Sequence, residues 1–434
     1  MDDFDKYLKS LKAIKITKTG NESGLYDLGT GLETQTIIPP LNTDIRFSSV
    51  LQGVSPTDKR VLSDIKDVEF PLEFSWAKIT NDDSSDIISK KQEISPPGNQ
   101  LNCGCCWAYS TSRVISDNFI VSGISKKNPR LSASYCLSCY PQNGCKGGNP
   151  GLLLKDINEK GIKSDDCISY AWCRNSAKCN GEDYDPKFNM NDLLPPVCGC
   201  INNKKHLVYK IHNPRHFDII NTAGINGQIK AMKNQIINKG PIIGGFVVFE
   251  NFISGKHTKV NGGVYLENAI YDEGRIHFID NFKDNTDQMY INGAHAISIV
   301  GWGVEKNVIY GNKDNDIADI PYWHVRNSWG TGWGDGGYFK MAMYPYNKIC
   351  SLEKETILNV NGKNYGGGGV VFFDTTQKPK PSTSKKIPDS DFYEDDVDDY
   401  KKDKLLYDLR KLKPQYIIAI VVCIIILLIL LFVL

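Results

Sequence analysis

Four residues, Gln100, Cys106, His295 and Asn327, stand in an order and in local settings that constrain this chain more than its composition does. Cys106 lies in Gln100-Leu101-Asn102-Cys103-Gly104-Cys105-Cys106-Trp107-Ala108-Tyr109-Ser110, His295 in Gly293-Ala294-His295-Ala296, and Asn327 in Asn327-Ser328-Trp329-Gly330. A free thiol titrates at about 8.5, so it is mostly protonated at neutral pH until an adjacent imidazolium stabilises the thiolate. Cys106 reads as a nucleophile and His295 as its ion-pair partner. In acyl transfer the imidazole must also hand a proton to the leaving amine, so a third group has to fix the ring, and the Asn327 amide suits that task. Gln100 would donate to the developing oxyanion, with the backbone N–H of Cys106 at a helix start as the second donor. The fold must therefore bring together segments about 190 residues apart.

The segment Cys103-Gly104-Cys105-Cys106-Trp107-Ala108-Tyr109-Ser110 resembles the nucleophile segment of papain-family cysteine peptidases. Leu131-Ser132, Cys139 and Gly144-Cys145-Lys146-Gly147-Gly148 resemble that family's disulfide and glycine strip. Asn292 to Ile297 with Val300-Gly301-Trp302-Gly303 resembles its histidine strand, and Tyr322-Trp323 to Phe339 its asparagine segment. The matches run from about Pro71 to Glu355, and four motifs in the right order are far more specific than one. The resemblance implies an α+β, papain-like two-lobe fold with a helical left lobe and a β-barrel-like right lobe. A long helix would run from Cys106 to Val121, and right-lobe strands would cover 244–249, 294–300 and 322–325. It further implies a Cys103–Cys145 disulfide, substrate contacts at Gly147, Gly148 and Trp329, with Trp329 also shielding the His295–Asn327 contact, and protein or peptide substrates with no cofactor or metal.

Near the C-terminus the resemblance is to the cathepsin B branch, through Lys239-Gly240-Pro241, Gly262-Gly263-Val264-Tyr265 and Cys350-Ser351-Leu352-Glu353-Lys354-Glu355. It places Glu355 at the floor of the S2 pocket, where it would accept a basic P2 residue; an ordinary solvated glutamate is the alternative. Three departures matter. Leu101 replaces the glycine that normally follows the oxyanion glutamine, and Cys105 replaces the usual serine. The paired histidines that make cathepsin B a carboxydipeptidase have no counterpart near 148–161, which favours an endopeptidase. The rival reading is a catalytically silent, membrane-anchored binding protein that keeps the fold.

The remaining chain divides into an N-terminal extension or propeptide at 1–69, the peptidase domain at 70–362, a disordered stalk at 363–413 and a transmembrane helix at 416–434. Gly366 to Gly369, Lys378-Pro379-Lys380-Pro381 and the acidic run from Asp389 to Asp399 suggest the stalk, a composition unable to bury much surface. Tyr416 to Leu434 carries no charge, and at about 1.5 Å per residue it just spans a bilayer core. The N-terminus shows no apolar signal segment, and Lys401, Lys402, Lys404, Arg410, Lys411 and Lys413 precede the span, so a C-terminal single-pass anchor facing the cytoplasm is expected. Thirteen cysteines conflict with a reducing cytosol. Either the thiols stay reduced in the cytosol and packing alone holds the fold, or the protein matures in a virion membrane, in keeping with a resemblance to the cathepsin-like proteinases of large DNA viruses. A zinc site among Cys167, Cys173, Cys179, Cys198 and Cys200 is the competing explanation. A net charge of +1 argues against a nucleic-acid partner.

Overall fold

The computed structural model describes residues 51–57, 68–170 and 198–382 apart from short breaks, together with the strand pair Leu25–Tyr26 and Thr36–Ile37. Two apolar cores lie on either side of a helix that runs from Cys106 to Val121, the span expected from the sequence. Every residue of this helix except Arg113 is buried. Its serines tolerate that burial because Ser110 and Ser116 donate to carbonyls one turn back, Cys106 and Ser112, at 2.7 and 2.8 Å.

The left lobe adds the helices Ala133–Cys139 and Pro150–Lys160. The first starts where the Ser132 hydroxyl accepts the Tyr135 N–H at 3.0 Å. The second starts where Asn149 Oδ1 accepts the N–H groups of Gly151 and Leu152, with Pro150 opening the helix. Both follow from side chains that satisfy orphan amides and from a proline whose missing N–H costs nothing there.

The right lobe is built on a nine-stranded sheet. Its spatial order is Ser55–Pro56, His212–His216, Val370–Asp374, Ile242–Phe249, Ile291–Ile309, Ile317–Arg326, Tyr338–Ala342 and Val264–Tyr265, with Phe74–Ser75 paired beside Ile291–Ile309. Pairing is antiparallel except at the two outermost contacts. The run Ile-Ile-Gly-Gly-Phe-Val-Val-Phe at 242–249 is buried at every position, as an unbroken apolar strand requires. Gly301 allows Phe74–Ser75 to lie against the long strand, since a Cβ there would stand 2.1 Å from the Phe74 carbonyl oxygen.

Several boundaries differ from the sequence expectation. Val370–Asp374 is a central strand, not stalk: Val370 and Phe372 enter the right-lobe core while Val371 and Phe373 enter the left. Alternate side chains thus fill both lobes from one strand. The chain continues to Lys380–Ser382, which pairs with His206–Val208 and whose Ser382 carbonyl accepts Lys163 Nζ at 3.1 Å. At the other end, Leu51–Thr57 joins the sheet edge, with Thr57 N–H bonded to the His216 carbonyl at 2.9 Å. The zinc alternative is overturned by disulfides: Cys103–Cys145, Cys139–Cys198 and Cys167–Cys200. Cys105, Cys106 and Cys136 are free thiols. Among the described residues no helix is long and apolar enough to cross a membrane. The run 416–434, Glu355, Cys173 and Cys179 lie outside the described residues.

Candidate active site

Cys106 is the first residue of the central helix, and Cys105 at the N-cap makes no side-chain hydrogen bond to it. The positive end of the helix therefore faces the thiol. Burial pushes the Cys106 thiol up to about 11, opposed by the backbone amides of Ala296 and Trp107. The Ala296 amide places the sulfur against the residue that follows His295.

His295 lies on the strand Ile291–Ile309, in register with Phe246, and is 2% exposed. Trp329 covers its ring at 4.8 Å with a 32° tilt, and Phe246 meets it edge-on at 6.0 Å. His295 Nε2 stands 2.7 Å from Asn327 Oδ1. That Asn327 atom also accepts the Ser328 N–H at 2.8 Å, which identifies it as the oxygen and makes Nε2 the protonated nitrogen. Nδ1 is then the basic nitrogen, and among the described residues it has no hydrogen-bond partner. Burial drives the imidazole down to about 4, while the Asn327 contact acts in the opposite direction. Each partner alone resists charging in this buried setting.

Gln100 is fixed although Leu101 replaces the expected glycine. Its Nε2 donates to the Cys103 carbonyl at 2.9 Å, its Oε1 accepts the Ser328 hydroxyl at 2.5 Å, and its backbone N–H donates to the Ser328 carbonyl at 2.8 Å. One amide hydrogen remains for a further acceptor. The Cys103–Cys145 bridge and the bond from Gly104 N–H to the Cys145 carbonyl, 2.7 Å, join this loop to the glycine strip. There Gly148 lies so close to the Trp107 indole that a Cβ would stand 2.5 Å from it. Gly147, at φ 108°, adopts a backbone conformation that favours glycine.

The structure thus gathers Cys106, His295, Asn327 and Gln100 with the glycine strip beside them. Trp329, at 1% exposure, stacks against the His295 ring and covers the His295–Asn327 contact. His324 stays outside the cluster, bonded to the Ser75 hydroxyl at 2.7 Å. Sequence reasoning missed Ser328, which grips both Gln100 and Asn327, although it stands within the Asn-Ser-Trp motif. It also missed the buried ion pair of Asp117 and Arg326 at 2.8 Å, which ties the nucleophile helix to the residue before Asn327. No group of His, Cys, Asp and Glu among the described residues is arranged to hold a metal.

The papain family cysteine protease model matches residues 82–360. The chain is 37% identical over 399 residues to the probable cysteine proteinase 361L of Invertebrate iridescent virus 6, covering 83% of this chain and 73% of that one. It is 40% identical to the probable cysteine proteinase 224L of the same virus, over 74% of this chain and 72% of that one. A more distant relative is the cathepsin B-like cysteine proteinase 6 of Caenorhabditis elegans, at 27% identity over 68% of this chain and 73% of that one. Motif order, fold, site geometry and these matches agree: the chain belongs to the papain family and is a cathepsin-like cysteine protease.

Proposed function

We propose that this protease is a membrane-anchored endopeptidase that cleaves peptide bonds through an acyl-enzyme on Cys106. The observation that carries the reading is the histidine tautomer: the Asn327 oxygen occupies Nε2, which leaves Nδ1 unprotonated and able to act as the base. In the first half-reaction the Cys106 sulfur attacks the substrate carbonyl as its proton passes to His295 Nδ1. The oxyanion takes hydrogen bonds from the remaining Gln100 Nε2 hydrogen and the Cys106 N–H. The collapsing intermediate expels the amine, which carries away the imidazolium proton. Water then attacks the thioester with His295 again as base; the second tetrahedral intermediate collapses by breaking its carbon–sulfur bond, which releases the carboxylic acid product and returns the proton to the Cys106–His295 pair. Trp329 keeps solvent from the His295–Asn327 contact, and the backbone at Gly147-Gly148 pairs with extended substrate. Glu355 at the S2 floor would select a basic P2 side chain.

The uncharged apolar run at 416–434 and the cationic cluster before it support a C-terminal anchor. Three disulfides together with relatives in iridescent viruses support a virion membrane as the location. The test is digestion of peptides blocked at both ends, varied at P2, by full-length wild type and by Cys106→Ala. Internal cuts by wild type alone are expected, fastest with Arg or Lys at P2. Folded wild type that cuts nothing would return the chain to the binding-protein reading. Flotation with lipid vesicles that persists after deletion of 416–434 would refute the anchor.

A further inference from the structure

The carbonyl of Gln100 is gripped from a part of the chain that no motif points to. It accepts the Tyr170 hydroxyl at 2.5 Å, across a sequence separation of 70 residues. That hydroxyl has one hydrogen, and Gln100 takes it. The 2.9 Å contact between Tyr170 Oη and Cys105 Sγ is therefore a thiol S–H donating to the phenol oxygen. The Tyr170 ring meets Tyr109 edge-on at 5.1 Å, and Tyr109 and Cys105 are 6% and 0% exposed. Tyr170 is thus braced on the buried face of the nucleophile helix. Burial raises both the Tyr170 hydroxyl and the Cys105 thiol above their ordinary ranges, so both remain donors.

The other ties on Gln100 come from Ser328, in the right lobe, and from the Cys103 carbonyl of its own loop. Only the Tyr170 bond holds the Gln100 peptide plane from the left-lobe core among the contacts described. The side-chain amide aims at an oxyanion only if that plane is fixed, and Leu101 in place of glycine changes the backbone freedom of the same loop.

We infer that Tyr170, backed by the Cys105 thiol, is a positioning residue that sets the Gln100 amide for oxyanion stabilisation. This rests on the reading of Cys106 as nucleophile and Gln100 as oxyanion donor. It also gives Cys105 a task that a hydroxyl at the same position would share: a donor to Tyr170.

The experiment uses full-length protein and three readouts: hydrolysis of a fluorogenic phenylalanyl-arginyl coumarylamide, inhibition by the matching peptide aldehyde, and the alkylation rate of Cys106 by iodoacetamide. The aldehyde forms a tetrahedral oxyanion; alkylation forms none. Tyr170→Phe keeps the ring on Tyr109 and removes the hydroxyl. It is expected to lower kcat about tenfold at unchanged KM, weaken aldehyde binding in parallel and leave alkylation unchanged. Losing an oxyanion donor outright costs on the order of 100- to 1,000-fold, the drop expected for Gln100→Ala. Cys105→Ala is expected to lower kcat two- to threefold, and Cys105→Ser to recover that loss, which keeps the inference testable should Tyr170→Phe fail to fold. Tyr170→Phe with all three readouts unchanged, or with alkylation falling alongside the others, overturns the positioning role. So does a Cys105→Ala loss that serine does not recover. A wild type that neither hydrolyses nor alkylates overturns the peptidase reading itself, and this inference with it.

Discussion

Arg326→Met tests how the two lobes hold the catalytic groups in register. Arg326 Nη1 lies 2.8 Å from Asp117 Oδ2, with the two side chains 2% and 0% exposed. The same nitrogen donates to the Ser95 carbonyl at 2.5 Å, and Asp117 Oδ1 accepts the Ser95 N–H at 2.7 Å. Asp117 sits on the helix that begins at Cys106, and Arg326 ends the strand that leads into Asn327, so one ion pair spans from the nucleophile's helix to the residue before the asparagine. Methionine keeps the length of the side chain and strands a buried carboxylate. Breaking a buried pair in this way costs roughly 3–5 kcal/mol. At about 2–4 °C per kcal/mol the thermal midpoint should fall by roughly 6–20 °C. The double variant Asp117→Leu, Arg326→Met removes both charges and should recover most of that loss. Near-UV circular dichroism through a thermal ramp reads both. A single variant within about 1 kcal/mol of wild type, or a double variant no better than the single, would refute the reasoning.

Two other outcomes follow from the packing. Glu267 and Glu353 are buried carboxylates that burial raises to about 7 each, with Glu267 further raising Glu353, against 4.5 for an ordinary glutamate. A raised folded-state value means the stabilisation is complete below about 4.5 and is lost as pH climbs through 7. Stability should thus fall between pH 5 and pH 8 by on the order of 1–3 kcal/mol per group, read as a falling thermal midpoint, and Glu267→Gln should flatten the curve. A midpoint that rises over that interval contradicts the assignment. Gly148→Ala should destabilise by about 1–3 kcal/mol, because its methyl would meet the Trp107 indole at 2.5 Å and the Gln142 amide oxygen at 2.7 Å. An alanine variant with unchanged denaturant midpoint would remove the strip's close approach from the account.

What the sequence revealed was local, and what it concealed was contact between distant segments. The helix from Cys106 to Val121 and the strands around His295 and Asn327 follow from the resemblance that the local motifs carry, and each motif occupies only a few residues. The Tyr170 grip on Gln100 and the Asp117–Arg326 pair arise only once distant segments pack, and a lone tyrosine or arginine carries no local mark of that. Disulfide partners are hidden for the same reason: Cys139–Cys198 and Cys167–Cys200 close loops of 59 and 33 residues among several combinations of equal local plausibility. The stalk boundary was different, since its signal was present. Val370-Val371-Phe372-Phe373 is an apolar run bounded by glycine and Asp374, the pattern of a strand buried on both faces, but the preceding glycines suggest a linker.

The most direct test of the central claim is rapid-quench mass spectrometry with an activated ester of a blocked peptide. The account predicts a burst of leaving group equal to the enzyme present and an acyl mass on the peptide containing Cys106, with the acyl adduct lost in Cys106→Ala. In Asn327→Ala the adduct should form more slowly, since the His295 ring loses its fixed orientation. No burst from folded wild type, or an acyl group on any other residue, would contradict Cys106 as the nucleophile.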